Sequence, residues 1–503
     1  MKFRLKIILS TFFASLFVLC PCALVYGEGA EQTIHASFEA ASAADQTEAS
    51  VASHPATQVK LTVKASDSSL NCKKVVDNKE RTKLNMQKKT TFTVKADREF
   101  ENLYLKFEKN CDWVIKLPDG QKITPDAEDY IHKYLPLGKK VTSFKLTMPK
   151  YSGLTDICAF TDGQPPDWVQ LWQPPCERAD LMVMPTHADD EYLWFGGAIP
   201  YYAGELGYDV QVVYLTNHNN ATIRNHERLN SLWTVGVRHY PIVSPFMDVN
   251  ESRYSAEDAA KEFGGYKKVM AFQVEMLRRF KPRVILAHDI NGEYGHGAHK
   301  LNAETILEAL KLSDNPKSYP DSAKKYGTCK IQKCYLHLWK ENKIVVSWSD
   351  KKLSRFGGKT SLEMAAEGFK CDASQIISYK VEEGGRFDCR KFGLAYTTVG
   401  NDTPGVNDFF ENVDWSDKKP GTTEIIEPTE TTAADPEIEA PVSPSHRVSS
   451  SDHEENGKQQ HSDNSHVKLI LFRLIPLWIV LFFILVLSVI LLILQRKHKK
   501  SIR

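Results

Sequence analysis

The stretch VMPTHADDEYLWFGG, residues 183–197, changes from apolar to strongly acidic within a few positions. His187, Asp189, Asp190 and Glu191 directly follow an apolar run that is typical of a buried parallel strand. Neighbouring carboxylates repel one another, so their crowding indicates that a positive partner is present in the folded protein.

The segments around this stretch alternate between strand and helix patterns. Short apolar runs at 180–184, 209–216 and 283–289 predict buried strands, and the periodic segments 191–207 and 266–282 predict helices. The alternation predicts an α/β fold, with a Rossmann-like, largely parallel sheet and flanking helices. Ligands bind at the carboxyl ends of such strands, where His187 and His288 are expected to lie.

Residues 58–175 show apolar residues at a spacing of two, separated by turn residues. This pattern predicts a small all-β, sandwich-like domain that precedes the α/β domain, which we assign to residues 176–415. The pattern loosely resembles the galactose-binding-like sandwiches that accompany carbohydrate enzymes. A structural β-cap without a ligand explains the same pattern equally well.

Both ends of the chain carry membrane signals. Residues 1–27 have the basic start and apolar centre of a secretory signal peptide, although an uncleaved anchor is the alternative. Residues 474–494 carry no charge and would form a helix of roughly 30 Å, enough to span a bilayer. The basic tail, 495–503, places that end in the cytoplasm. Polar segments at 28–57 and 416–470 predict a disordered spacer and a disordered stalk.

We therefore expect a single-pass membrane protein whose catalytic part lies outside the cytoplasm, at the cell surface or in a secretory lumen. The chain of 503 residues has a formal net charge of +1, so no nucleic-acid partner is expected. Eight cysteines follow the signal, and an even number in an exported chain predicts disulfides. The simplest pairing joins neighbours along the chain: 72 with 111, 158 with 176, 329 with 334, and 371 with 389. The oligomeric state stays open.

The acidic stretch has the residue types of a catalytic zinc site. Zinc takes histidine nitrogen and carboxylate oxygen, and a catalytic zinc keeps three protein ligands and one water. His187 and Asp190, three residues apart at a strand-to-helix turn, are the predicted ligands. Asp189 would lie beside the water and act as general base. The Gly-rich segment HDINGEYGHGAHK, 288–300, offers His299 as third ligand and His296 to stabilise an oxyanion or donate a proton.

Residues 178–412 resemble the PIG-L/LmbE-type N-acetylglucosamine deacetylases. The similarity lies in HADDEYLWFGG, in the Arg-x-x-Glu pair of Arg224 and Glu227, in EYGHGAHK, and in SQ at 374–375. The chain departs from the family pattern at two places in these motifs. It has Ala188 where the family has proline, and it has Gly-Ala at 297–298 where the family has Pro-Asp. The sequence NHNN at 217–220 also replaces an acidic turn. No departure removes a ligand, but the last two bear on which sugar fits.

The resemblance implies a role for each matching residue. His187, Asp190 and His299 match zinc ligands, Asp189 the general base, and His296 and Tyr294 groups beside the oxyanion. Arg224 matches a substrate-binding arginine, and we add Asp289 as a second substrate-binding candidate. The implied reaction hydrolyses the N-acetyl group of an N-acetylglucosamine-type sugar or glycoconjugate. The alternative is a surface glycan-binding protein that keeps the fold without catalysis.

Overall fold

Two β-sheets and seven α-helices make up the part of the chain that the computed structural model describes. The described residues are 33–35 (backbone only), 54–125, 130–376 and 379–418. Predictions for the signal peptide, the 474–494 helix, the basic tail and most of the spacer and stalk fall outside these ranges. Within them, no helix is both long and apolar enough to cross a bilayer.

The first sheet is almost entirely antiparallel and contains eight strands. They are β1 Thr33–His35, β2 Leu61–Ala65, β3 Leu84–Asn85, β4 Thr90–Phe107, β5 Val114–Lys116, β6 Lys122–Thr124, β7 His132–Met148 and β8 Gly153–Phe160. The long strands β4 and β7 pair along most of their length, with register shifts between Lys95 and Asn102. The first half of β4 then pairs with β2 and the second half with β8. A separate domain at 58–175 stays a prediction.

The second sheet is largely parallel, as the sequence predicts. Its strands are β9 Leu181–Val183, β10 Val210–Tyr214, β11 Ile242–Val243, β12 Val284–Ala287, β13 Lys333–His337, β14 Lys343–Val345 and β15 Lys391–Thr397. The order is β11-β10-β9-β12-β13-β15-β14, and the pairs that involve β15 are antiparallel. The chain order reverses between β9 and β12, so a ligand site is expected at the carboxyl ends of these two strands.

Helices pack around this sheet. They are α1 Asp190–Leu193, α2 Ile223–Thr234, α3 Ala256–Glu262, α4 Tyr266–Phe280, α5 Gly297–Leu312, α6 Pro320–Tyr326 and α7 Ser361–Cys371. The prediction of one helix over 191–207 is wrong. Helix α1 ends after one turn, Gly196 has a positive φ of 56°, and the chain continues as a π-helix at Pro200–Glu205. A positive φ interrupts a right-handed helix.

Helix α2 is held against the antiparallel sheet by buried polar contacts. The ring nitrogens His226 Nδ1 and His132 Nε2 lie 2.8 Å apart. Asn230 donates to a Glu80 carboxylate oxygen at 2.7 Å. One continuous cluster of buried apolar side chains also includes residues from both sheets. The two sheets therefore share a core, and α2 is the helix that connects them.

The disulfide prediction is wrong for the described cysteines. No bond joins 158 to 176, 329 to 334, or 371 to 389, and Cys72 is likewise a free thiol. The thiols have other partners: Cys329 donates to the Leu277 carbonyl at 3.2 Å, and Cys389 to the Glu382 carbonyl at 3.4 Å. Cys334 is fully buried on β13 among apolar side chains. Unpaired cysteine is frequently buried, so burial explains these cysteines without the disulfide bonds that the sequence spacing suggested.

Gly196→Ala is expected to lower the free energy of unfolding by about 2–4 kcal/mol, because it combines strain at positive φ with overpacking. A Cβ atom at Gly196 would lie 2.5 Å from Cδ1 of the fully buried Trp348. Gly357 is the matched control: its φ is 66°, and a Cβ there would meet nothing within 4 Å. Chemical denaturation should give Gly357→Ala a cost of about 1 kcal/mol. Equal costs for the two variants would show that the Trp348 contact is unimportant.

Candidate metal and active site

The acidic stretch forms a tight turn between β9 and α1. Asp189 precedes the helix with a φ of 119°, a conformation that non-glycine residues rarely adopt. Its backbone N–H donates to the Glu191 carboxylate at 2.9 Å, and Tyr214 donates to the other Glu191 oxygen at 2.6 Å. Glu191 thus links the turn to Tyr214 of β10. Strained backbone held by such contacts is a frequent property of functional sites.

Three of the predicted ligand atoms form a nearly equilateral triangle. His187 Nδ1 lies 3.1 Å from Asp190 Oδ2 and 3.2 Å from His299 Nε2, and the latter two atoms are 3.3 Å apart. In a tetrahedral site with zinc bonds of about 2.0 Å, ligand atoms are about 3.3 Å apart. The triangle therefore has the size to hold such a cation.

Other donor atoms lie near this triangle. His296 comes close to His187 and His299, and His288 to Asp190 and His299, within ligand distance of one cation. His288 Nε2 also receives the Thr186 backbone N–H at 2.9 Å, so its lone pair is already engaged. The buried His296 Nδ1 has no hydrogen-bond partner among the described residues. The donor set thus fits His187, Asp190 and His299 as ligands, with His296 beside them.

A buried carboxylate orients the histidines on the β12 side of the site. Glu293 Oε2 lies 2.8 Å from Nδ1 of both His288 and His299, and Glu293 Oε1 lies 2.7 Å from His337 Nδ1. Burial opposes ionisation of Glu293, but His288 and the other ring partners hold its pKa well below the ordinary value. A His299 that donates through Nδ1 presents its Nε2 lone pair to the triangle. This carboxylate–histidine pairing is typical of metal sites.

Two further groups orient the other ligands. Asp248 Oδ1 lies 3.5 Å from His187 Nε2, the ring nitrogen that points away from the triangle. The indole N–H of Trp194 donates to Asp190 Oδ1 at 2.7 Å, which leaves Oδ2 for the triangle. Each of the three ligand side chains is thereby fixed by a second residue.

Asp189, the predicted proton acceptor, lines the same cavity as His187 and Asp190. Arg224 Nη2 is 3.5 Å from Asp189 Oδ2 and donates to the Ala188 carbonyl at 2.5 Å. Burial and the neighbouring Asp190 raise the pKa of Asp189 to about 7, against the opposing charge of Arg224. A carboxyl with such a pKa accepts and releases protons near neutrality.

His296 and Tyr294 face the same space. Burial, with His187 and His299 nearby, lowers the pKa of His296 to about 2, so the structure favours a neutral ring over the imidazolium. A neutral imidazole still donates through one N–H. Tyr294 is half exposed and its ring lies 5.6 Å from that of His296.

A cavity of about 450 Å³ opens over the triangle. The predicted site residues that line it are His187, Asp189, Asp190, Arg224, Tyr294 and His296. His299 is fully buried. Asp289 does not line the cavity; its carboxylate accepts hydrogen bonds from the backbone and side chain of Asn291. The structure therefore gives no support to Asp289 as a substrate-binding residue.

Sequence reasoning missed Asp248, Glu293 and Tyr379 as site residues. Asp248 follows β11 and Glu293 follows β12, so both come after strands of the parallel sheet. This position could have indicated from the sequence that they lie near the site. Tyr379 lines the cavity from a segment after α7, where no strand end marks it. Its neighbour Gln375, within the SQ pair, also lines the cavity.

Glu293→Gln is expected to weaken binding of a divalent cation about 10–100-fold. The two Glu293 oxygens face three histidine Nδ1 atoms, and the NH₂ group of glutamine cannot accept a hydrogen bond from them. Competition with a fluorescent chelator measures the affinity. Glu308→Gln is the control, since Glu308 is exposed and pairs only with Lys311 among the described residues. Equal affinity in the Glu293 variant and the parent would show that Glu293 does not support the site.

The parallel sheet and the His, Asp, His triangle beside a carboxylate define the class of protein: an α/β fold with a candidate metal-dependent hydrolase site. Residues 181–310 match the family described as PIG-L, GlcNAc-PI de-N-acetylase. A PIG-L domain therefore occupies this part of the chain, and the resemblance seen in the sequence is confirmed over residues 181–310. Its extension to residue 412 stays a prediction.

Two curated relatives are 1D-myo-inositol 2-acetamido-2-deoxy-alpha-D-glucopyranoside deacetylases. The one from Catenulispora acidiphila is 25% identical over 35% of this chain and 61% of its own length. The one from Saccharopolyspora erythraea is 27% identical over 30% of this chain and 63% of its own length. The chain thus spans about three fifths of these relatives. Among solved structures, N,N'-diacetylchitobiose deacetylase from Pyrococcus horikoshii is 19% identical, with a TM-score of 0.31, and the match covers 41% of this chain and 74% of that one.

Proposed function

We propose that this protein is a zinc-dependent deacetylase that hydrolyses the N-acetyl group of an N-acetylglucosamine-type sugar or glycoconjugate. The observation that carries the proposal is the triangle of His187 Nδ1, Asp190 Oδ2 and His299 Nε2, with Asp189 beside it in a cavity. The PIG-L match and the deacetylase names of the curated relatives support the same reaction and sugar class.

His187, Asp190 and His299 would hold the zinc ion, since two imidazoles and one carboxylate are an established catalytic donor set. When bound, zinc supplies Lewis acidity toward the amide carbonyl and lowers the pKa of water. Asp189 takes a proton from the attacking water and passes it to the leaving amine. Arg224 holds Asp189 in place from 3.5 Å. The N–H of His296 is placed to donate to the amide oxygen as negative charge develops there.

The cavity admits a substrate of limited size. Its volume of about 450 Å³ accommodates a small ligand such as a monosaccharide. Leu193, Trp194 and Tyr379 contribute apolar surface, while Asn220 and Arg253 contribute polar groups. A pyranose has both an apolar ring face and several hydroxyls, so this mixed lining suits a sugar.

The membrane topology is part of the proposal. The uncharged 474–494 segment, the basic tail and the amino-terminal signal favour a single-pass protein with its catalytic part outside the cytoplasm. The domain boundaries at 58–175 and 176–415 belong to the same proposal. Fractionation of cells that express the full chain, with protease protection, tests the topology. A catalytic part that is protected in intact cells yet digested after selective opening of the cytoplasm would overturn it.

The decisive experiment combines metal analysis with an acetate-release assay. The full chain is purified in detergent, its metal content is measured, and it is incubated with a panel of N-acetylglucosamine glycosides and glycolipids. We expect about one zinc per chain and release of acetate with a free amine. Zinc without acetate release from any member of the panel would favour a non-catalytic glycan-binding protein.

A further inference from the structure

A second cavity, of about 440 Å³, lies beside helix α2 and is separate from the candidate active site. Arg224 lines the active-site cavity, whereas Asn225 and Arg228 of the same helix line the second one. Lys109 and Tyr130 line it from the region of the antiparallel sheet. The proposed deacetylation uses none of these second-cavity residues.

Arg228 is the residue of this cavity that indicates a ligand. The residue is 5% exposed, and its Nε and Nη1 atoms are enclosed without a hydrogen-bond partner in the part of the chain that the structure describes. Its guanidinium lies over the ring of Tyr214, 5.3 Å from the centroid. A ring face offers no lone pair to the N–H groups, and a buried charge without hydrogen bonds is costly. The N–H groups of Nε and Nη1 therefore lack an acceptor within the described ranges.

The lining of the cavity has the charge that an anion requires. Lys109 adds a further cationic side chain, and Asn219 and Ser244 add polar groups. Guanidinium groups favour carboxylate and phosphate, whose oxygens accept from several N–H donors at once.

We propose that this cavity is an oxyanion-binding site, with Arg228 as its buried anchor, for a carboxylate or phosphate carried by a small polar molecule such as a sugar acid or sugar phosphate. The enclosed guanidinium supplies the charge that recognises the oxyanion. The amide and hydroxyl groups around it suit the hydroxyls of the same molecule. The site is independent of zinc and of the deacetylation reaction.

Calorimetric titration of the full chain tests the proposal, after EDTA treatment so that no metal at the first cavity holds the anion. Inorganic phosphate and glucuronate are titrated separately, which distinguishes a phosphate site from a carboxylate site. We expect one of them to bind with a Kd of about 1 mM or tighter, and Arg228→Met to weaken that binding at least about tenfold. Failure of both anions to bind, or equal affinity in the variant, overturns the proposal.

Two other variants make the test specific. Arg238→Met removes the same charge from an exposed arginine, which donates to the Trp233 and Val237 carbonyls outside this cavity. The affinity of this variant for the anion should stay within about twofold of the parental value. A tenfold loss there would show that general charge is responsible, which also overturns the proposal. Asn219→Asp places a carboxylate on an exposed residue at the cavity wall and should weaken binding in a folded chain. If Arg228→Met does not fold, unchanged affinity in Asn219→Asp overturns the proposal.

Discussion

His187→Ala is expected to lose both bound zinc and acetate release. The variant removes one corner of the ligand triangle, and the remaining atoms, Asp190 Oδ2 and His299 Nε2, provide two ligands where a catalytic zinc needs three. Without the metal, the pKa of water rises from about 7 to its much higher bulk value, so we expect a fall in kcat/KM of at least about 10⁴-fold. Metal analysis and the acetate assay on the same preparation measure both effects.

His239→Ala is the matched control for this variant. His239 is also partly buried and pairs with a carboxylate, Asp209, but it lies outside the active-site cavity. The control should keep its metal and its turnover. If His187→Ala retained stoichiometric zinc and parental activity, the assignment of the metal site would be wrong.

Asp189→Asn should separate catalysis from metal binding. Asp189 is not part of the triangle, and its nearest charged partner described here, Arg224, lies on the side of the cavity. An amide of the same shape keeps the turn but cannot take a proton from water. We expect zinc content to stay at the parental value and kcat to fall about 10²–10⁴-fold, the usual contribution of a general base.

Asp289→Asn supplies the comparison for the second prediction. Both aspartates follow strands of the parallel sheet, but Asp289 bonds to Asn291 and does not line the cavity. Its kcat and KM should match those of the parent within about twofold. A parental rate in Asp189→Asn would remove the base assignment, and a raised KM in Asp289→Asn would restore that residue to the substrate site.

The sequence predicted the parallel sheet and the proximity of His187, Asp190 and His299 because both follow local rules. Apolar runs of strand length mark β9 and β12, and parallel strands present their carboxyl ends at one edge. Once the strands are placed, His187 and His299 must lie near one another, although 112 residues separate them. The resemblance to a known family then implied a role for each residue, and these roles stay predictions.

What the sequence could not predict depends on tertiary contacts. Glu293 looked like an ordinary loop residue, because its three histidine partners come from three different segments. The break after α1 depends on a positive φ at Gly196, which a helical pattern does not show. The disulfide prediction rested on the cellular compartment and on an even count, neither of which reports where a thiol points. Asp289 was chosen because it follows a strand. Its carboxylate accepts a hydrogen bond from Asn291 and does not line the cavity, which the sequence does not show.

The attachment of α2 makes the parallel-sheet part of the protein dependent on residues that precede it in the chain. The helix that carries Arg224 into the cavity is anchored through His226 and Asn230 to His132 and Glu80, residues that belong to the amino-terminal region. A shortened chain that began at the α/β sheet would expose the His226 imidazole and the Asn230 amide to water. We therefore expect the parallel-sheet part to need the amino-terminal strands, which support the helix that carries Arg224.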